Sequence, residues 1–183
     1  MAQEQPAGRV MVELVDPDGN TIGVAEKLEA HRPPGLLHRA FSVFLLDEDG
    51  RVLMQRRALT KYHSPGRWSN TCCSHPFPGE APRDAVVRRL GEELGVKPDV
   101  LEPAGLVTYD VTDVVSGLVE KEYNHLFVGR VGDSVALNPD EVDDVAYVPL
   151  AELDTWLDEH DHTAWLSAVL GSVREPLAAL AAR

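Results

Sequence analysis

Short stretches in which apolar and polar residues alternate predict a chain built largely from β-strands. Residues 10–15 and 21–26 flank the turn sequence at 16–20 and predict an N-terminal hairpin. Further strands are predicted at residues 39–46, 51–57, 107–111, 118–131 and 145–149, with a loop at 58–70.

The clearest helical pattern covers residues 82–94. Pro82 suits a first turn and Gly95 a C-terminal stop. Arg89 and Glu93 lie one turn apart at the margin of the core, where their charges would face a cleft. The apolar stripe predicted to face the core consists of Val86, Val87, Leu90 and Leu94.

Two further helices are predicted at residues 150–156 and 163–182. Strands that alternate with a few helices, and that are mostly joined as hairpins, indicate an α+β or mixed α/β sandwich.

Alternation in the strand at 118–131 places Glu120 and Glu122 on the same face, together with Asn124. Two neighbouring carboxylates would repel each other unless a cation lay between them. Glu120 and Glu122 are therefore a candidate pair of metal ligands.

Composition limits the classes of partner. The chain has 183 residues and a formal net charge of -13, which indicates one domain and argues against nucleic acid or an anionic membrane as partner. It does not argue against a small anionic substrate. No apolar run is long enough for a membrane helix, and the N-terminus lacks the pattern of a signal peptide, so a cytoplasmic protein is expected. Residues 1–8 are predicted to be a disordered tail.

The two cysteines of the chain are adjacent, at Cys72 and Cys73. Because they could form only a strained disulfide, reduced thiols are expected. On an extended backbone Cys73 shares a face with His75, whereas Cys72 points the other way into the packing. A thiol beside an imidazole suits either metal binding or proton transfer.

The central helix carries a longer motif. Glu80 and residues 88–96 resemble the Nudix box, in which a glycine is followed at fixed spacing by glutamates and an arginine. Ser74 stands in place of the leading glycine, and Arg89 in place of the glutamate that follows the arginine. In the hydrolases with this box, that glutamate belongs to the metal-binding set that cleaves diphosphates. A guanidinium instead binds phosphate, so the altered site should hold a diphosphate without hydrolysing it.

Further motifs appear around the altered box: residues 56–61, 73–76 and 120–122, the pair His31 and His38, and Trp68. Together they resemble the type I isopentenyl diphosphate isomerases over residues 10–170. This resemblance implies a Nudix-type α/β (α+β) sandwich, with a mixed sheet packed between helices and an extra N-terminal hairpin. It also implies conversion of isopentenyl diphosphate, a small-molecule substrate, to dimethylallyl diphosphate in a chain expected to act as a monomer.

The resemblance implies two metal sites. Three imidazoles and two carboxylates suit Mn²⁺, Zn²⁺ or Mg²⁺ in one site, and the ligand types do not decide among these ions. Its implied ligands are His31, His38, His75, Glu120 and Glu122. A second ion, Mg²⁺, would be held by Glu93 and the carbonyl of Cys73 and would bridge to the diphosphate.

The family pattern assigns four basic residues to the diphosphate, although solvated surface charges are the alternative. These residues are Lys27, Arg57, Lys61 and Arg89. Trp165 is placed over the isoprenoid carbons, where its ring could stabilise a cation; a plain core role is the alternative.

The implied reaction needs acid/base groups on opposite sides of the carbon chain. We expect Glu122, helped by the Tyr109 hydroxyl, to act on one side and Cys73 on the other, with a neighbouring cation making Cys73 more acidic. Which of the two protonates the alkene stays open. The remaining histidines are interpreted as hydrogen-bonded or surface residues: His63, His125, His160 and His162.

Two other functions remain possible at this point. A Nudix hydrolase would share the fold and Mg²⁺, but it needs the glutamate that Arg89 replaces. A binding module with a structural Zn²⁺ would explain the histidines, but not the thiol or the basic residues.

Overall fold

Strands dominate the computed structural model, which describes residues 10–132 and 134–183; the tail predicted at 1–8 lies outside them. The strands are β1 (Met11–Val15), β2 (Thr21–Glu26), β3 (His38–Leu46), β4 (Arg51–Arg57), β5 (Trp68–Ser69), β6 (Cys72–Ser74), β7 (Val100–Thr112), β8 (Val119–Arg130) and β9 (Val142–Pro149). The helices are α1 (Lys27–His31), α2 (Pro82–Leu94), α3 (Leu153–Asp158) and α4 (Leu166–Ala181), with a 3₁₀ turn at Leu150–Glu152.

Strand β3 organises the mixed sheet. It pairs with β8 in parallel along its whole length and with β6 antiparallel, and it also contacts β1 and β4. Side chains of β3 alternate between the two faces: Phe41 and Val43 pack in one core with α2, while Phe44 and Leu46 pack in another with α4. The predicted sandwich of a mixed sheet between helices is therefore confirmed.

Helix α2 has the predicted bounds. Pro82 occupies its first turn, and Gly95 ends it in the left-handed region with φ 64°. One predicted core position is wrong, because Val87 is 36% exposed. Ala85 and Glu93 are buried instead, so the buried face is turned toward Glu93 and away from Val87.

The bounds of other elements differ from the predicted ones where a helix cap or a bulge overrides the pattern of apolar and polar residues. Helix α1 was not expected; the Glu26 carboxylate caps it by accepting from the Leu28 and Glu29 amides at 3.0 and 3.1 Å. Strand β7 begins at residue 100 rather than 107 and contains a bulge at 103–105. Within the described ranges, no helix combines the length and apolar character needed to span a bilayer.

Candidate active site

One pocket, with about 450 Å³ of empty volume, collects nearly every residue predicted to act. It lies where α1, β6, β8 and the N-terminal end of α4 meet the face of α2 that carries Arg89. Of the predicted site residues, His38 and Tyr109 do not line it. The lining consists of Lys27, His31, Arg57, Lys61, His63, Cys73, Ser74, His75, Arg89, Glu93, Glu120, Glu122 and Trp165.

Three histidines and a glutamate form a buried cluster: His31, His38, His75 and Glu122 offer ligand atoms that lie within 4.8 Å of one another. The Nδ1 atoms of His31 and His38 lie 2.6 and 2.7 Å from backbone carbonyl oxygens. Because a carbonyl only accepts, each Nδ1 donates a proton to it, and each ring turns its Nε2 toward the cluster.

The inward atoms crowd together. The Nε2 atoms of His38 and His75 are 3.1 Å apart, and His75 Nε2 lies 3.0 Å from Glu122 Oε1. Imidazole nitrogens and a carboxylate converge here in a buried space, with the His31 and His38 rings held from behind by backbone carbonyls. This donor set fits a divalent cation.

Glu120 lies beside this group and outside its tightest part. Its Oε2 is 3.3 Å from His31 Nε2. Burial and the nearby charge of Glu122 raise the pKa of Glu120 to about 7. Burial would also raise the pKa of Glu122, but hydrogen bonding by His38 and His75 outweighs it and lowers that pKa well below its usual value.

A short polar network holds Glu122 from the side away from the histidines. The Tyr109 hydroxyl donates to Glu122 Oε2, and Asn124 Nδ2 donates to the same oxygen at 2.9 Å and to the Tyr109 oxygen at 3.0 Å. Tyr109 lies directly across from Glu122 in the β7–β8 ladder. The Tyr109 hydroxyl therefore contacts the carboxylate that it is expected to help, and its catalytic role stays a prediction.

The adjacent cysteines differ as the strand geometry requires. Cys72 is fully buried in the core against α2, whereas Cys73 lines the pocket and its Sγ accepts a hydrogen bond from Trp165 Nε1 at 3.1 Å. Burial raises the pKa of the Cys73 thiol to about 12, against the opposing effect of Arg57. Burial therefore outweighs the acidifying effect of the neighbouring Arg57 cation on Cys73.

The four basic residues predicted to bind the diphosphate all line the pocket. They differ in whether a carboxylate pairs with them. Arg89 pairs with Glu92 at 2.6 Å, with Glu93 at 2.6 Å and with Glu141 at 3.2 Å, and Lys61 also pairs with Glu141. In residues 10–132 and 134–183, no carboxylate lies within ion-pair distance of Lys27 or Arg57. Burial and the Arg57 charge lower the pKa of Lys27.

Glu93, the implied Mg²⁺ ligand, is buried between two donors. Arg89 Nη2 donates to its Oε1 at 2.6 Å, and Gln55 Nε2 donates to its Oε2 at 2.8 Å. Gln55 carried no signal in the sequence beyond its place in a predicted strand.

Two other residues of the box have a structural role. The Arg88 guanidinium donates to both oxygens of Glu80 at 2.8 Å and stacks 3.8 Å from the centre of the Phe77 ring. Glu80 also accepts from the Phe77 amide at 2.8 Å. This pair fastens the loop that follows β6 to α2.

His63 was interpreted as a hydrogen-bonded or surface residue, and the structure places it inside the pocket wall. Its Nδ1 lies 2.8 Å from Glu120 Oε1. Burial, followed by the charge of Arg57, lowers its pKa to about 3 and keeps the ring neutral. Its position in a Pro/Gly-containing loop gave no periodic signal that could have assigned it to the site.

Comparison with known proteins places this site in a family. A NUDIX domain model matches residues 36–168. An isopentenyl-diphosphate Delta-isomerase of Streptomyces coelicolor is 58% identical over 168 residues, which cover 92% of this chain and 85% of that protein. Another, of Nocardia farcinica, is 44% identical and covers 87% and 91%.

Solved structures agree on the fold. DR0079 from Deinococcus radiodurans superposes with a TM-score of 0.68 at 16% identity, covering 92% of this chain and 98% of that one. A MutT protein from Methanosarcina mazei Go1 gives 0.61 at 21% identity, covering 76% and 95%. These likenesses concern the fold alone. Because the sequence relatives match nearly the whole chain and the NUDIX model covers most of it, the chain belongs to the isopentenyl-diphosphate Delta-isomerase family of Nudix proteins.

Proposed function

We propose that this enzyme converts isopentenyl diphosphate to dimethylallyl diphosphate, by adding a proton at one carbon and removing one from another. The observation that carries the proposal is that a thiol, Cys73, and a carboxylate, Glu122, line one pocket together with several cations. Burial raises the pKa of Cys73, whereas hydrogen bonds lower the pKa of Glu122. The names of the relatives support the same reaction.

The basic residues would bind the diphosphate. Arg57 and Lys27 can pair with phosphate directly, since no carboxylate in the described ranges neutralises them. Arg89 and Lys61 share Glu141 and would exchange part of that pairing for phosphate oxygens. The planar guanidinium groups suit bidentate contacts with phosphate.

Divalent metal ions belong to this site, and the buried His/Glu cluster is where one fits. We propose that His31, His38, His75, Glu120 and Glu122 hold Mn²⁺, with Zn²⁺ or Mg²⁺ as alternatives, and that Glu93 and the Cys73 carbonyl hold Mg²⁺ at the diphosphate. When bound, these ions supply charge neutralisation for the carboxylates and the phosphates.

The protein's own groups then carry the protons. β3 separates the strand of Cys73 from that of Glu122, so the two groups approach a substrate in the pocket from different strands. One group donates a proton and the other accepts one, which balances the 1,3-shift without a net proton from solvent. Tyr109 and Asn124 hold Glu122 in place during the transfer.

Trp165 closes the pocket beside Cys73. It is 4% exposed and packs in the core beside α4, so its indole both fills the core and faces the pocket. A buried aromatic face excludes water and stabilises positive charge on the carbon skeleton.

We place the reaction in the cytoplasm, because Cys73 must remain a thiol and reducing conditions preserve one. We also propose that the enzyme acts as a monomer, which sedimentation velocity of the purified protein would test.

A product analysis tests the function. The protein is incubated with isopentenyl diphosphate, Mg²⁺ and Mn²⁺, and both the allylic isomer and released phosphate are measured. The proposal expects the isomer without phosphate. Released phosphate without the isomer would indicate a hydrolase, and neither product would indicate a binding module.

The cysteine pair provides a matched control. Cys73→Ala and Glu122→Gln should each lower kcat by about 10²–10⁴-fold, the range that general acid–base groups contribute. Cys72→Ala removes only core packing and should cost about 1–2 kcal/mol of stability while activity persists. Equal loss of activity in the two cysteine variants would contradict the assignment.

A further inference from the structure

We propose that His63 is a positioning residue that holds three groups of the pocket, Glu120, Arg57 and Trp165, in their working arrangement. This inference rests on the proposed function, because it concerns how the same site is kept in order. His63 is only 6% exposed and comes from the loop between β4 and β5.

The side chain of His63 fixes one oxygen of Glu120. Its Nδ1 lies 2.8 Å from Glu120 Oε1, close enough for the ring to donate a hydrogen bond to the ionised carboxylate. The other oxygen, Oε2, is left facing His31 Nε2 at 3.3 Å. The imidazole therefore sets which oxygen of Glu120 points at the histidine cluster.

The main-chain carbonyl of His63 binds a second group of the pocket, the Arg57 guanidinium. This carbonyl accepts from Arg57 Nε at 3.2 Å and from Arg57 Nη2 at 2.9 Å. The guanidinium carbon lies 5.3 Å from the centre of the Trp165 ring, and the His63 ring centre lies 5.3 Å from the same ring. One residue thus contacts a phosphate-binding candidate, a metal-ligand candidate and the aromatic wall.

The backbone next to His63 is strained. Ser64 has φ 46°, the only positive φ at a non-glycine residue in the part of the chain that the structure describes. Such a conformation costs about 1–2 kcal/mol for a residue with a Cβ. Strain of this kind persists where surrounding contacts fix it, and Ser64 is fully buried next to the residue that contacts Arg57 and Glu120.

The two roles of His63 separate in a side-chain variant. His63→Phe keeps the ring volume against Trp165 and the carbonyl that orients Arg57, but it removes the donor to Glu120. His63→Asn restores an N–H donor near the Nδ1 position. His160→Phe is a matched control, because His160 stacks on Trp156 outside the site with ring centres 4.1 Å apart.

Binding of Mn²⁺ alone, followed by electron paramagnetic resonance, tests the inference without a turnover assay. His63→Phe should weaken Mn²⁺ binding by about tenfold or more, the usual cost of losing a group that orients a metal ligand. His63→Asn should recover most of that loss, and His160→Phe should bind as the parent does. In turnover, His63→Phe should lower kcat with little change in KM.

The outcomes separate this inference from the proposed function. Unchanged Mn²⁺ affinity in a folded His63→Phe protein would overturn the role of His63, even if the parent isomerises its substrate. Weakened binding that His63→Asn does not recover would also overturn it, since loop disruption would then be the cause. Weakened and recovered binding, in a parent that produces no isomer, would support His63 while the proposed function fails.

Discussion

Single side chains decide the chemistry of this pocket through their direction as much as their type. Cys73 and Cys72 are chemically identical neighbours, yet the pleat of β6 sends one to the pocket and the other to the core. Ser69 and Trp165 then border the pocket thiol, at 3.8 and 3.1 Å from its sulfur. The pocket cysteine is thus distinguished from its neighbour by the side chains that contact its sulfur.

The substitution Trp165→Phe tests whether the hydrogen bond from the Trp165 indole to the Cys73 sulfur contributes to turnover. Phenylalanine keeps an aromatic wall but cannot donate to Cys73, so the sulfur loses its orienting partner. We expect kcat to fall about tenfold, the equivalent of one hydrogen bond, with KM little changed. Steady-state kinetics measures the two constants.

Trp156→Phe is the control for that substitution. Trp156 packs against Trp68, with ring centres 5.0 Å apart, and does not line the pocket. If Trp165→Phe raised KM and left kcat intact, Trp165 would act only in binding the substrate.

Residues that carry a motif were predictable from sequence, and residues that join the site only through contacts distant in sequence were not. Cys73 and Glu122 were found because alternation and a family pattern coincide at them. His63 and Gln55 were missed, since a hydrogen bond to a residue far away in sequence has no local periodicity. Glu141, which pairs with Lys61 and Arg89, was missed for the same reason.

At the scale of elements, the boundaries that were predicted well are those set by backbone restrictions. Pro82 and Gly95 fix both ends of α2 through φ alone. Helix α1 depends on the Glu26 cap, and β7 extends past Pro103 by means of a bulge. Such compensations depend on side-chain geometry and on the neighbouring strand, so the local pattern does not reveal them.

In helix α2, the arginine at position 89, which stands in place of the Nudix-box glutamate, also affects stability. Arg89 lies among Glu92, Glu93 and Glu141, so Arg89→Glu would bring four carboxylates together. Without divalent cations we expect a loss of about 2–3 kcal/mol in the free energy of unfolding, because a partly buried cation would be replaced by an unpaired anion. Urea unfolding measures this loss.

The response of stability to Mg²⁺ distinguishes Arg89→Glu from a variant that only lacks the positive charge. Arg89→Glu should regain stability when Mg²⁺ is added, because the cation neutralises the grouped carboxylates. Arg89→Met removes the charge without adding an anion and should gain less from Mg²⁺. An equal response of the two variants would mean that Arg89 does not occupy a cation position.

At the scale of the molecule, the central sheet joins parts of the chain that are distant in sequence. β3 lies between β6, which carries Cys73, and β8, which carries Glu122. The N-terminal hairpin adds to this sheet from outside the residues that match the NUDIX model. Only one residue pair of the β1–β3 ladder is formed, so side chains must help to attach the hairpin.

Glu13 provides that attachment. It accepts from Arg39 Nε at 2.8 Å, from the Gly79 amide at 2.7 Å and from Thr21 Oγ1 at 3.2 Å. Burial alone would raise the pKa of Glu13, but these hydrogen bonds outweigh it and lower the pKa below the usual 4.5. One carboxylate therefore links β1 with β2, β3 and the turn before α2.

The lowered pKa gives Glu13 a definite pH signature. A carboxyl group whose folded-state pKa is depressed stabilises the protein above its unfolded pKa and loses that contribution as the pH falls through the folded value. Glu13→Gln should therefore cost about 1.5–2 kcal/mol near pH 7, and the difference from the parent should shrink below pH 4.5. Urea unfolding of both proteins between pH 7 and pH 3 measures it. A difference that stayed constant across that range would assign the cost of the substitution to packing, and the hairpin would then be attached by its strand pairing and apolar contacts.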